Sequence, residues 1–282
     1  MKKLSVVAVA VCLFVGSSFA AWDYFPPKEA GKGQGRLNFE YGIEDKLANM
    51  GIAVKARYGI IEGLEAALSL PVPLSSSYDG KSADGYTGLS IPEIGIRYWL
   101  PMGLGFYLDV GLPVDTRYDK NNLAKVRYEP SMGLGVGAQF STNFTEELSL
   151  GSQLGLSVPF AGSDSKMADG MGLVVGVELD YAVGALTAFV GGELGLGLTK
   201  PTFDGKEIPG SEADKAAVDA WIGAAYSITE MIGVDLSAKF GFGEKYKTLP
   251  TITVDPVTFA VKTEPGKSYI PITIGFDFDI NF

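Results

Sequence analysis

Carboxylates recur in this chain at a spacing of two, the spacing that puts both on one side of an extended strand. Glu178 with Asp180 and Asp277 with Asp279 are such pairs. Two acids so close could in principle do general acid–base work. The chain contains no histidine, which removes serine–histidine and cysteine–histidine nucleophile pairs and the commonest transition-metal ligand. Asp204, Glu207, Glu212 and Asp214 crowd the stretch 199–215 but lack the ordered spacing of an EF-hand loop. Gly191-Gly-Glu-Leu-Gly-Leu-Gly197 resembles a nucleotide loop only superficially, because no helical pattern follows and most of its glycines keep strand parity. The charges read instead as the lining of a wet interior, with no catalytic residue, metal or cofactor expected.

Assigned by parity to that lining are the acids Glu40, Glu65, Glu93, Asp109, Glu178, Asp180, Glu193, Asp219, Asp235, Asp277 and Asp279. Facing them are Arg36, Lys55, Arg57, Arg97 and Lys239, with the aromatics Trp99, Tyr107 and Trp221 on the same side. Glu44, Asp115, Glu129 and Glu147 fall at the rims. A lumen with excess acid focuses its field in favour of cations, which predicts weak cation preference. A second reading stays open: the charges pair across strands and fill the interior.

The elements that must hold these residues are strands. The final stretch, Ile270 to Phe282, carries an apolar residue at Ile270, Ile272, Ile274, Phe276, Phe278, Ile280 and Phe282, while Thr273, Asp277, Asp279 and Asn281 take the other face. Period-two matching along the chain yields twelve segments near the length of a tilted membrane strand: 36–44, 52–61, 64–72, 89–100, 104–115, 128–141, 147–160, 171–183, 186–198, 216–228, 232–242 and 268–282. None of their outward positions is Asp, Glu, Lys or Arg. A charge at the bilayer midplane costs up to about 2–4 kcal/mol, so an outward face facing lipid would exclude them. An all-β, antiparallel, up-and-down transmembrane barrel of about twelve strands follows, its even strand number placing both termini on the periplasmic side.

Connection lengths alternate as outer-membrane barrels require. Short turns fall at 61–63, 101–103, 142–146, 184–185 and 229–231, and long connections at 45–51, 73–88, 116–127, 161–170, 199–215 and 243–267. Proline deletes a ladder hydrogen bond, and Pro71, Pro92, Pro113, Pro130, Pro159 and Pro271 are expected at the outer-rim ends of strands. In the last long loop, the runs beginning at Thr251 and Thr258 are expected to extend a hairpin above the membrane.

Residues 1–20 have a basic start at Lys2 and Lys3, an apolar run too short to span a bilayer, and a small-residue exit, which predicts a secretory signal peptide. Cys12, the single cysteine, lies inside it after Val11, against lipoprotein acylation. Removing Lys2 and Lys3 leaves 21 basic against 33 acidic residues, an unlikely partner for nucleic acid. Residues 21–35 then form a periplasmic N-terminal segment, too short for a folded passenger domain, and 36–282 the barrel.

The turns predict contacts. Folding about 61–63 brings Arg57 opposite Glu65 or its neighbour, and the turns at 101–103 and 229–231 set Arg97 near Tyr107 and Lys239 near Trp221, a cation–π geometry. An inward run of glycines, Gly133, Gly135, Gly137, Gly151, Gly155, Gly172, Gly176, Gly191, Gly195 and Gly197, predicts either strong curvature or close approach of something bulky. The candidates for that approach are the opposite wall with Trp99, Tyr107 and Trp221, an inserted outer loop, or the segment Ala21-Trp-Asp-Tyr-Phe-Pro-Pro-Lys28.

Signal peptide, alternating strands and terminal phenylalanine together resemble bacterial outer-membrane channel-type barrels. The resemblance implies an outer-membrane location and assembly through periplasmic chaperones and the barrel-assembly machinery, with Phe278, Ile280 and Phe282 as the signal. Leu89-Ser-Ile-Pro-Glu-Ile-Gly-Ile-Arg-Tyr-Trp-Leu-Pro, followed by Leu104-Gly-Phe-Tyr-Leu-Asp-Val-Gly-Leu-Pro-Val-Asp, resembles outer-membrane transporters of the phenol-degradation meta-pathway type, implying passage of small hydrophobic or aromatic solutes. The expected function is passive diffusion of small solutes through a net-acidic lumen. The alternative is a non-conducting structural or adhesive barrel acting through its long loops.

Overall fold

The computed structural model describes residues 24–82, 89–112, 132–160, 167–168, 170–207, 216–243, 251–254, 261–264 and 268–282. The expected signal peptide, together with Asp115, Glu129, Pro113, Pro130, Glu212 and Asp214, lies outside them.

Twelve antiparallel strands build the wall. They are β1 Gly33–Glu44, β2 Leu47–Ile61, β3 Leu64–Tyr78, β4 Glu93–Trp99, β5 Leu104–Gly111 and β6 Met132–Asn143. The second half comprises β7 Leu148–Phe160, β8 Gly172–Val183, β9 Leu186–Gly197, β10 Ala217–Ser227, β11 Ile232–Gly243 and β12 Ile272–Asn281. Each strand pairs with its chain neighbours, and β1 pairs with β12 from Gln34↔Asn281 to Ile43↔Ile272, so the sheet closes on itself. Closure leaves no strand edge unpaired around the ring, the condition for crossing hydrocarbon.

The alternation seen in the sequence sorts side chains as expected. Ile222 and Leu236 are more than half exposed, and Val54, Tyr98, Phe106, Leu108, Val175 and Ile274 stand out on the same outer surface. Buried residues are mostly polar: Gln34, Asn38, Arg57, Glu65, Ser69, Arg97, Asp109, Gln139, Gln153, Asp235, Asp277 and Asp279. A greasy exterior over a polar interior inverts a soluble core and suits a wall with lipid outside.

At the end where β1 begins and β12 finishes, turns are short. Gly63 (φ 76) and Gly103 (φ 82) adopt the left-handed conformation, and a β-carbon there would meet the carbonyl oxygen of Trp99 at 2.4 Å or of Ser141 at 2.3 Å. Only glycine fits both demands.

The opposite end departs from expectation in three places. The connection expected over 45–51 is a two-residue turn at Asp45 and Lys46, with Asp45 at φ 51, and β2 already begins at Leu47. Aspartate tolerates this conformation, so polar flanks that read as loop are ladder instead. The loop expected from 73 begins only after Tyr78, because β3 keeps pairing with β2 through a bulge at Met50/Gly51. Pro71 and Pro73 therefore lie inside β3, not at its end. Among the described residues the strand ladder to β4 stops at Ser69↔Glu93, so at their height that edge of β3 demands no ladder hydrogen bond from a proline nitrogen. Pro92 and Pro271 sit just before their strands, and Pro159 next to the end of β7, as expected. In the last long loop Thr251–Val254 pairs with Val261–Glu264, and Thr258 lies outside the described residues.

The charged lumen as candidate functional site

Half of the interior, under β3 to β7, is filled by packed side chains. Glu65 and Arg97, directly opposed on β3 and β4, are both 0% exposed, with Arg97 Nη2 and Glu65 Oε1 2.5 Å apart. Gln139 donates its amide to Gln153 Oε1 at 3.0 Å, and Trp99, Tyr107, Asp109 and Ser69 are buried in the same sector. The expected placement of Arg57 directly opposite Glu65 is corrected here. The ladder opposes Arg57 to Ala67 and Gly59 to Glu65, and Arg57 donates Nε to Gln34 Oε1 at 2.8 Å. Counting back from a turn over 61–63 already reaches the partner of Glu65 at Gly59, two residues closer to the turn than Arg57.

On the other side Arg36 is gripped by three carboxylates. Its guanidinium lies 3.1 Å from Asp235, 2.8 Å from Asp277 and 2.7 Å from Asp279. Asn38 also donates to Asp277, at 2.5 Å. Arg97 and Tyr107 are cross-strand partners, as are Trp221 and Lys239, in agreement with the expected neighbours. Lys239 Nζ sits 2.8 Å from Asp219, and the Trp221 indole donates to Glu178 at 2.5 Å.

Residues 24–32 run inside the barrel. Tyr24 donates its hydroxyl to Glu193 Oε2 at 2.9 Å, and its ring meets Trp221 edge-on at 6.1 Å between centroids. Burial, reinforced by the Glu193 carboxylate, pushes the ionisation of the Tyr24 phenol far above its ordinary range, so it stays a donor. Phe25 offers its carbonyl to Arg97 at 3.2 Å, the Lys28 amide donates to Glu65 Oε2 at 2.8 Å, and Lys28 Nζ reaches Asn281 at 3.3 Å. Ala30 bridges to Gly59.

Five of the ten inward glycines, Gly137, Gly151, Gly155, Gly176 and Gly191, have an aromatic side chain over them, whereas Gly133 has nothing within 4 Å. A β-carbon on Gly151 would lie 2.8 Å from Tyr24 Cβ, and on Gly176 2.3 Å from the Tyr24 hydroxyl. Tyr107 lies across Gly137 and Gly155, Trp221 across Gly191, and Trp99 across Gly105. The aromatics lean onto the adjacent strand instead of reaching from the opposite wall. Flat rings over glycine restore packing that the missing side chain would have supplied.

Beside this filling lies a cavity of about 1140 Å³. Of the charges assigned to the lumen from sequence, Arg36, Glu40, Lys55, Arg57, Glu178, Asp180, Glu193, Asp235, Lys239 and Asp277 line it, with Trp221. Glu65, Glu93, Arg97, Trp99, Tyr107 and Asp109 belong to the packed sector on β3 to β5, while Asp219 and Asp279 hold Lys239 and Arg36. Tyr24, Lys28, Gln34, Asn38, Gln139 and Gln153 carry much of the network yet were not singled out by charge. Strand parity was the signal that could have found the last four. Phe278 and Ile280 belong to the outer face of β12, and the ring of Phe282 covers Gly33, whose amide and carbonyl exchange hydrogen bonds with Phe282 at 2.7 and 3.0 Å.

The fold matches solved outer-membrane barrels. The crystal structure of an outer membrane channel from Pseudomonas putida F1 superposes with a TM-score of 0.60 at 14% identity, covering 93% of this chain and 98% of that one. The TodX deltaS2S3 mutant, a monoaromatic hydrocarbon channel, gives 0.49 at 11% identity over 91% of each chain. No curated protein matches the sequence. A closed twelve-strand wall with an apolar exterior is an outer-membrane barrel. Residues 27–249 match the family described as "Putative MetA-pathway of phenol degradation", and the chain belongs to that family.

Proposed function

We propose that the barrel is an outer-membrane channel for passive diffusion of small solutes, with both termini periplasmic and residues 24–32 narrowing the passage. The carrying observation is the cavity of about 1140 Å³ inside a closed wall, lined by charged side chains. Membership of a phenol-degradation family favours small hydrophobic or aromatic solutes within that class. Weak cation preference follows from the excess of acids over bases on the inner face, although Arg36 and Lys239 are each held by carboxylates and add little free positive field.

Liposome swelling with sugars, amino acids and aromatic acids tests the proposal. Solute-dependent swelling is expected. Purified, heat-modifiable protein that gives neither swelling nor discrete conductance steps in planar bilayers overturns it in favour of a non-conducting barrel. The hairpin formed by Thr251–Val254 and Val261–Glu264 is the feature such a barrel would present to an external partner.

A further inference from the structure

Five aromatic rings line the cavity: Tyr24, Phe25, Phe189, Trp221 and Phe282. Two of them are built into adjacent strands of the wall in a reciprocal arrangement. Trp221 on β10 stands opposite Gly191 on β9, and two residues further along the same ladder Phe189 on β9 stands opposite Gly223 on β10. Each ring is laid over the other strand's glycine: a β-carbon on Gly191 would collide with the Trp221 indole, and one on Gly223 with the Phe189 ring.

Glycine lets both rings lie down on the backbone instead of standing into the lumen. One face of each packs on the sheet, and both side chains, half-buried, keep surface towards the cavity. The indole is fixed further, since its N–H reaches past β9 to donate to Glu178 on β8 at 2.5 Å, and Tyr24 meets its ring edge-on at 6.1 Å between centroids.

The carboxylates around the pair already have protein partners: Glu178 accepts from Trp221, Glu193 accepts from Tyr24, and Asp219 holds Lys239. What the pair offers a ligand is therefore apolar ring surface, set in a largely charged wall. A sugar, which needs hydrogen-bond partners around its rim, gains less there than a flat ring that needs none.

We propose that Phe189 and Trp221 form a stacking site for one aromatic ring, at which an aromatic solute binds inside the lumen. Offset or edge-on contact with two rings favours a planar π-system over a saturated ring of the same size. The inference rests on the channel reading and places its aromatic solutes on named residues; binding measured in detergent separates the site from the transport.

The test uses L-phenylalanine and L-cyclohexylalanine, which share their polar end and differ in the ring. In the full mature chain, Trp22→Phe with Trp99→Phe leaves Trp221 as the sole tryptophan. In detergent, 4-nitro-L-phenylalanine is expected to quench its fluorescence saturably, phenylalanine to displace the quencher at several-fold lower concentration than cyclohexylalanine, and Phe189→Leu to remove that difference. Quenching without saturation, or equal displacement by the two, overturns the stacking site. Displacement by methyl β-D-glucoside at lower concentration than phenylalanine overturns its ligand class. Where the double variant does not fold, calorimetric titration of the wild-type protein with phenylalanine and cyclohexylalanine decides in the same way. Saturable quenching without any swelling of proteoliposomes in phenylalanine overturns the channel and leaves the site standing.

Discussion

Glu65 and Arg97 form a fully buried ion pair, 2.5 Å apart, at directly opposed positions of β3 and β4. The same carboxylate also accepts the Lys28 amide, so one residue joins the barrel wall to the chain running through the lumen.

Removing one partner strands a charge in the packed sector. Arg97→Ala or Glu65→Ala is expected to cost about 3–5 kcal/mol of unfolding free energy, whereas Glu65→Leu with Arg97→Met recovers most of it. Urea unfolding in lipid vesicles, followed by tryptophan fluorescence, measures the cycle. Additive losses would show that the two side chains do not act as a pair.

Tyr24 holds residues 24–32 against the glycine wall. Deleting 24–29 is expected to raise single-channel conductance several-fold, and Tyr24→Ala to raise it in part. Gly176→Val should mimic Tyr24→Ala, because its side chain occupies the space of the Tyr24 hydroxyl. Unchanged conductance in the deletion would place the limiting constriction elsewhere.

Arg36 is the one cation among Asp235, Asp277 and Asp279. Arg36→Met leaves three carboxylates facing one another, and a shift of reversal potential towards cation selectivity is expected under a salt gradient. A reversal potential equal to the wild type would mean that ions do not pass this cluster.

The outer surface should behave as lipid-facing. Cysteines placed at Leu108 and Val175, each 42% exposed in the isolated chain, are expected to resist water-borne maleimides in intact cells. A cysteine at Asp45, in the turn between β1 and β2, is expected to react. Val175→Arg should cost about 2–4 kcal/mol if Val175 lies near the midplane. Labelling of Leu108 and Val175 from water would sink the membrane assignment.

Much of the architecture was legible before any coordinates. Period-two alternation is a local property, so the twelve strands and the outward or inward sense of Val54, Arg97 or Asp277 could be read from neighbours along the chain. Strand ends near turns were also local, as at Gly63, Gly103 and Gly184. The reading failed where a partner strand decided the outcome. Asn49 and Pro73 look like loop residues, yet the ladders joining β1, β2 and β3 run through them.

The order of residues thus determined the wall: which side chains meet lipid, which meet water, and that the sheet has the strands to close. Only the tertiary structure decided what the interior does with its charges. Closure set β2 across from β8, and the chain before β1 turned inward onto Gly151 and Gly176. These relations join residues far apart in sequence, and they depend on summed register around the whole ring, which no local pattern encodes.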